Sequence, residues 1–285
     1  MRFRLSIMII LASFCLPLLA AAGTNTTGEQ EIINKYVNQT EKKYTKKMGW
    51  ASVNFTMNRI NRNNDYNKFV NYQNNFFTNT KFSWLAQGWN AGIDMGLIFK
   101  EKFAWSVRGE YWMPLKEAKS GTFEYTPTNS ATSFVTDPTS EVKVWGVATG
   151  LQYYVLNAPS ANDGLQKLAV RVGGSVGYYQ ATWDVWPASE NLNLSTSQPA
   201  GLNTSFKGSA PGFSMVMGAD YPAGFWGMGL GVDFGYTVLN FKNMAWYNTL
   251  DQEVVLTYNG NQDGRVDLNL SGFTGKVEIK RFFSW

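Results

Sequence analysis

The sequence predicts an all-β fold: a transmembrane, antiparallel, up-and-down β-barrel of eight strands. Three observations carry that expectation. Eight separate stretches alternate apolar residues with small or polar ones at a period of two. Charged residues are only 16% of the 285-residue chain while aromatics reach 15% and glycine 27 residues, yet mean hydropathy is −0.24. No apolar run beyond residue 22 reaches the roughly 18 residues of a membrane helix. A soluble domain carries about 25% charge. A barrel wall sets one lipid-facing side chain beside one lumen-facing side chain, which gives this composition.

The charge balance narrows the function. Lys and Arg number 25 against 21 Asp and Glu, and there is no histidine. So small a surplus does not supply the dense basic surface that nucleic-acid binding needs. Without histidine, Ser-His and Cys-His catalysis and His-ligated metals are excluded. An enzyme would need a Lys, Asp or Glu base, and nothing marks one out. The chain therefore reads as non-enzymatic, with no cofactor implied.

At the N-terminus, Arg2 and Arg4 precede an apolar run from Leu5 to Ala20, and Ala20-Ala21-Ala22 offers an A-x-A cleavage site. Residues 1–22 read as a secretory signal peptide. The single cysteine, Cys15, lies inside it behind Phe14, where lipoprotein processing needs a small residue. Residues 23–47 read as a periplasmic N-terminal tail. Ile32, Ile33, Tyr36, Val37 and Tyr44 have near-helical spacing, and Lys42, Lys43, Lys46 and Lys47 suit a helix C-terminus. Residues 48–285 form the barrel.

Each strand is justified by its alternation, because successive side chains in a strand point to opposite faces. Residues 50–58 set Ala51, Val53, Phe55 and Met57 against Ser52, Asn54, Thr56 and Asn58. Residues 89–99 set Trp89, Ile93, Met95, Leu97 and Phe99 against Asn90, Gly92, Asp94 and Gly96. Residues 103–113 set Phe103, Trp105, Val107 and Tyr111 against Ala104, Ser106, Arg108 and Glu110. Residues 145–155, 168–178 and 213–221 follow the same rule, through Trp145, Val147, Leu151; Val170, Val172, Val176; and Phe213, Met215, Met217. Phe225 to Asn240 is the clearest, with Trp226, Met228, Leu230, Val232, Phe234, Tyr236 and Val238 on one face and glycine or Asp233 on most of the other. The last strand sets Phe273, Val277, Ile279, Phe283 and Trp285 against Thr274, Lys276, Glu278 and Lys280. Aromatics gather near segment ends, which suits a membrane interface better than a sandwich core.

The connections give the orientation. Residues 100–102 and 222–224 are tight turns and 157–166 is a modest loop, whereas 59–81, 114–141, 184–207 and 241–265 are long and polar. Short turns inside and long loops outside place both chain ends on the inner side and require an even strand count. Glu253 to Leu270 reads as a hairpin around Asn259-Gly260 and Asp263-Gly264, projecting above the bilayer, because the apolar parity flips near Ser271.

The closing residues Val277, Ile279, Phe283 and Trp285 alternate to a C-terminal aromatic, with Arg281 breaking the apolar pattern. This resembles the C-terminal signal of Gram-negative outer-membrane proteins. With the eight segments and the loop asymmetry, residues 48–285 resemble the small OmpA/OmpX/OmpW-like barrels at the level of pattern. The resemblance implies an outer-membrane location, delivery by the barrel-assembly machinery and about this strand number.

Candidate sites follow from parity. The inward faces carry Asp94, Arg108, Glu110, Arg171, Asp220, Asp233, Lys276, Glu278 and Lys280. An eight-stranded lumen is filled by side chains, and buried charges must pair, so Arg108 and Arg171 are expected to bridge to the carboxylates. Asn259, Asn261, Asp263 and Asp267 fall at positions 1, 3, 5 and 9 of a calcium loop, but Leu270 stands where the bidentate Glu belongs. Trp183, Trp186, Trp246 and Tyr247 sit at loop bases as ligand contacts or interface anchors. The expected function is a structural or surface-binding role through the outer loops, as a monomer touching outer-membrane lipid and lipopolysaccharide. The alternatives are a narrow porin-like conduit for small solutes and a secreted soluble β-sandwich.

Overall fold

The computed structural model describes residues 47–61, 65–99, 102–118, 121–125, 132–136, 139–159, 168–186, 204–222, 226–247, 253–254 and 265–284. The signal-peptide reading of 1–22, the tail to residue 46, Asn259, Asn261, Asp263 and Trp285 lie outside the described residues. The elements are β1 (Met48–Ile60), α1 (Asp65–Gln73) with a 3-10 turn (Asn74–Phe76), β2 (Gln87–Phe99), β3 (Phe103–Ala118), β4 (Gly121–Tyr125), β5 (Thr132–Thr136) and β6 (Thr139–Leu156). They continue with β7 (Ala169–Trp186), β8 (Thr204–Pro222), β9 (Met228–Tyr247), β10 (Glu253–Val254), β11 (Val266–Asn269) and β12 (Gly272–Ser284).

Eight long strands close a ring in the order β1-β2-β3-β6-β7-β8-β9-β12, and β12 pairs back onto β1. Every neighbouring pair is antiparallel. The closed ring leaves no sheet edge and is not a two-sheet sandwich. β4 and β5 pair with each other between β3 and β6, and β10 pairs with the top of β9. β11 is the upward continuation of β12: Asn269 faces Asn240 and Gly272 faces Thr237, so the register on β9 is unbroken. At the interruption Ser271 repairs the ladder. Its Oγ accepts from Leu239 N at 2.9 Å and donates to Leu239 O at 3.3 Å.

The lipid-facing band is unambiguous. Ile93, Met95, Val147, Val176, Met215, Phe234 and Ile279 all point outward and are exposed, while Asp94, Arg171, Asp220, Asp233 and Glu278 point inward and are buried. An apolar girdle running round all eight strands has no partner among the described residues, and hydrocarbon is the solvent that suits it. A polar group in that band must be satisfied locally. Trp105 does so by donating its indole N–H to Thr149 Oγ1 at 2.8 Å, and Thr149 donates on to Ser106 O at 3.0 Å.

Above the band the polarity inverts while the alternation continues. On β7 the outward residues change from Val176 and Tyr178 to Gln180, Thr182 and Asp184, and the inward ones from Gly177 to Ala181, Trp183 and Val185. β6, β8 and β9 do the same, turning Lys143, Lys207 and Lys242 outward and Val144, Phe206 and Phe241 inward. These strand extensions correct the expectation that 114–141, 184–207 and 241–265 are polar loops. The apparent flip near Ser271 has the same origin. Val266, Leu268 and Leu270 keep the inward parity of Lys276 and Glu278; it is the lumen that changes from charged to apolar. The strand read as starting at Phe225 begins at Met228, because Trp226 and Gly227 take positive φ, 50° and 70°, and form the turn.

Candidate functional site: a charged lumen beneath an apolar cap

The lumen has three layers. At the inner end Met48, Trp50, Ile98, Ala104, Tyr154, Ala169 and Phe282 form a small apolar floor. In the middle lie all nine charged residues read from strand parity. At the outer end is a larger apolar cluster that includes Trp112, Val144, Trp183, Phe206, Phe241 and Leu268.

The middle layer is a network centred on Arg171. Its Nε lies 3.0 Å from Asp220 Oδ2, and its Nη2 lies 2.8 Å from Asp233 Oδ1 and 3.4 Å from Glu278 Oε1. Arg171 Nη1 donates to Gln152 Oε1 at 3.2 Å, and Tyr154 donates its hydroxyl to Asp220 Oδ2 at 3.2 Å. Lys280 Nζ sits 2.8 Å from Asp220 Oδ1 and 3.0 Å from Glu278 Oε2. Lys276 pairs with Asp233 at 2.8 Å and with Glu278. A second group lies on β2 and β3, where Arg108 reaches Asp94 at 3.3 Å and Glu110 at 2.9 Å. Tyr179 donates to Glu110 Oε2 at 3.5 Å. Arg171 and Glu278 are each 1% exposed, so these charges persist only because each faces an opposite one.

Small residues make room for these long side chains. A methyl placed on Gly177 or Gly212 would come within 2.8 Å or 2.5 Å of the Tyr179 ring, which lies across both. Gln152, Tyr154 and Tyr179 complete the network without having been singled out from the sequence. The signal was available for Gln152 and Tyr154, which occupy inward-parity positions of the strand read over 145–155, whereas Tyr179 lies one residue past the strand read over 168–178.

The cap comes from the segment between β1 and β2. Tyr66 and Val70, four residues apart on one face of α1, are buried. Tyr66 Oη and Ser140 Oγ are 3.0 Å apart, and the Tyr66 ring packs at a tilt against Trp183, with centroids 4.6 Å apart. Two asparagines pin the return segment. Asn67 accepts from Leu85 N at 2.8 Å and donates to Leu85 O at 3.4 Å. Asn74 accepts from Phe82 N at 2.8 Å and donates to Phe82 O at 3.0 Å. Each side-chain amide thus imitates one rung of a β-ladder. Trp183 is a core residue, not a surface contact. It is fully buried, stacks on Phe206 at 4.6 Å and donates its N–H to Ser140 Oγ at 2.9 Å. Tyr247 is half-buried, with Lys207 Nζ 4.9 Å above its ring; Trp186 and Trp246 end β7 and β9.

Outside the band, the Glu141 carboxylate, hydrogen-bonded to Lys143, and Asp184 hold the Lys143 ammonium above its usual range. Asp267, the one described member of the calcium pattern, accepts from Asn243 N at 2.8 Å, which supports a bulge where Asn243 has φ 54°.

No protein-family model and no curated protein sequence matches the chain. Among solved structures it is similar to Neisserial surface protein A, at 9% identity over 84% of this chain and 97% of that one, with a TM-score of 0.40. It is also similar to the outer membrane protein OprG from Pseudomonas aeruginosa, at 11% identity over 84% and 96%, TM-score 0.43. A third is a major outer membrane protein from Thermus thermophilus, at 10% identity over 82% and 99%, TM-score 0.44.

Proposed function

We propose that this chain is a monomeric outer-membrane barrel that is sealed at rest and serves as a structural and surface-binding protein through its outer wall and cap. One observation carries the reading: the lumen of the closed ring is filled, by paired charges in the middle and an apolar cap above them. The outward cations Arg59, Lys207 and Lys242 sit directly above the apolar band, at the level where an outer leaflet presents phosphate. This supports lipopolysaccharide as a partner. Val277, Ile279 and Phe283 face outward on β12, which supports recognition of that strand by the barrel-assembly machinery.

The test is reconstitution. Purified protein should fractionate with outer membranes, migrate differently before and after boiling, and give negligible conductance in planar bilayers. Lys207→Glu with Lys242→Glu should weaken binding to lipid A vesicles at least several-fold while leaving the gel shift intact. Steady conductance by the unaltered protein, or unchanged lipid A binding, overturns the reading.

A further inference from the structure

One side of the lumen carries polar groups that the described residues do not satisfy. The inward residues Ser52, Asn54, Thr56 and Asn58 of β1 are neither charged nor apolar, and none is more than 8% exposed. Among the described residues, Ser52 Oγ, both amide atoms of Asn54 and Asn58 Nδ2 have no hydrogen-bond partner, nor have Asn90 Oδ1 and Asp94 Oδ1 on the adjoining strand. The register places them side by side, Ser52 against Asp94 and Thr56 against Asn90. At the outer end Asn58, Asn90 and Trp112, whose indole N–H is also unpartnered among the described residues, line a cavity of about 30 Å³ just under the cap, together with Arg108, Glu110, Asp233 and Lys276 of the ion network. Buried polar groups in a folded wall find partners, and a polar cavity of this size has room for water.

We infer that a single file of water, able to carry small monovalent cations, runs down the inner face of β1 from this cavity to Trp50, along the flank of the ion network. Six residues of strand span about 20 Å, and at a barrel tilt of about 40° the ladder from Asn58 to Ser52 covers about half of the roughly 30 Å hydrocarbon thickness. The network flanks this wall: the register sets Ser52, Asn54 and Thr56 beside Lys280, Glu278 and Lys276 of β12, whose ion pairs run to β7, β8 and β9 and not to β1. The lumen favours cations, since five carboxylates (Asp94, Glu110, Asp220, Asp233, Glu278) face four cations (Arg108, Arg171, Lys276, Lys280). Asp94 also turns an unpartnered oxygen to the file. The cap closes the outer end, and Trp50, fully buried beneath Lys280 with Nζ 5.5 Å from its ring, closes the inner end.

This goes beyond the sealed-scaffold reading, which needs only that the resting lumen be closed. The test is an uncorked barrel, with residues 62–84 replaced by a short Gly-Ser link and Trp50→Ala, studied in planar bilayers after its gel shift confirms folding. A small cation-selective conductance is expected. Asn54→Leu in that background should cut it at least tenfold, while Ser175→Ala on the opposite wall should leave it within twofold. A silent folded barrel, anion selectivity, or indifference to Asn54→Leu overturns the proposal. Should the uncorked barrel not fold, the intact protein in micelles decides. NMR magnetisation transfer from water to the side-chain amide protons of Asn54 and Asn58 is expected, and its absence overturns the file.

Discussion

Arg171 on β7 forks onto Asp220 on β8, with Nε 3.0 Å from Oδ2 and Nη2 3.3 Å from Oδ1, and both side chains are fully buried. The same guanidinium also reaches Asp233 and Glu278, so one cation neutralises charge from three strands at once. Arg171→Met leaves those carboxylates facing one another in a dry lumen. Breaking a buried ion pair by removing one partner costs about 3–5 kcal/mol. Asp220→Asn should cost less, because it keeps an acceptor for Tyr154 and removes one acid from an acid-rich lumen. Urea unfolding in lipid vesicles checks the ranking; equal, small shifts in midpoint for both variants contradict it.

The turn between β8 and β9 makes a second demand. Gly227 takes φ 70°, and a Cβ there would lie 2.5 Å from Phe282 O. Its own carbonyl accepts from Phe282 N at 2.7 Å, so the turn cannot move aside without releasing β12. Gly227→Val should therefore destabilise by more than the ~1–2 kcal/mol of left-handed backbone alone. At Gly275, where a Cβ meets only the Phe234 ring at 3.9 Å, valine should be neutral or slightly favourable. Paired unfolding titrations separate a backbone requirement from a mere preference for small residues.

What was legible in the sequence follows from which solvent each residue meets. Ile93 and Asp94 are neighbours with opposite surroundings, and hydrocarbon on one side imposes that contrast on every crossing. Strand number, facing and the charged lumen residues could therefore be read from period two. Trp183 and Val185 obey the same period with the sense reversed, because water lies outside them and the cap inside. Such a stretch looks like a loop when apolar is taken to mean outward. The cap itself was illegible for another reason. Asn67 and Asn74 act through bonds to Leu85 and Phe82, and nothing local announces an asparagine that imitates a ladder rung.

The cap should be separable from the membrane band. Trp183 stacks on Phe206, packs at a tilt against Tyr66 and holds Ser140 through its indole. Trp183→Ala opens a cavity whose cost is about 3–5 kcal/mol. That loss falls on contacts above the band. Limited proteolysis should show new cleavage between β1 and β2, and amide exchange should quicken on α1 and the upper part of β7. The heat-dependent gel shift should persist, since none of the lipid-facing residues has changed. Loss of the shift would mean that cap and band unfold as one unit.

The position of the membrane boundary is open to a direct test on β7. Val176 and Gln180 share the outward face two inward-outward repeats apart, and the polarity inversion falls between them. Arginine on the lipid face near the bilayer midplane costs about 2–4 kcal/mol, falling to about 0–1 near the interface. Val176 lies below the boundary but short of the midplane, so Val176→Arg should lower stability by an amount between the two, and Gln180→Arg by no more than the second. The converse pair adds discrimination: Gln180→Leu should do nothing for stability in vesicles, because its side chain already lies beyond the hydrocarbon. Folding yield into vesicles and urea midpoints for the three variants locate the boundary to within two strand repeats. Equal penalties for arginine at both positions would place the bilayer higher on β7 and return the apolar inner face of Ala181, Trp183 and Val185 to the depth of the membrane.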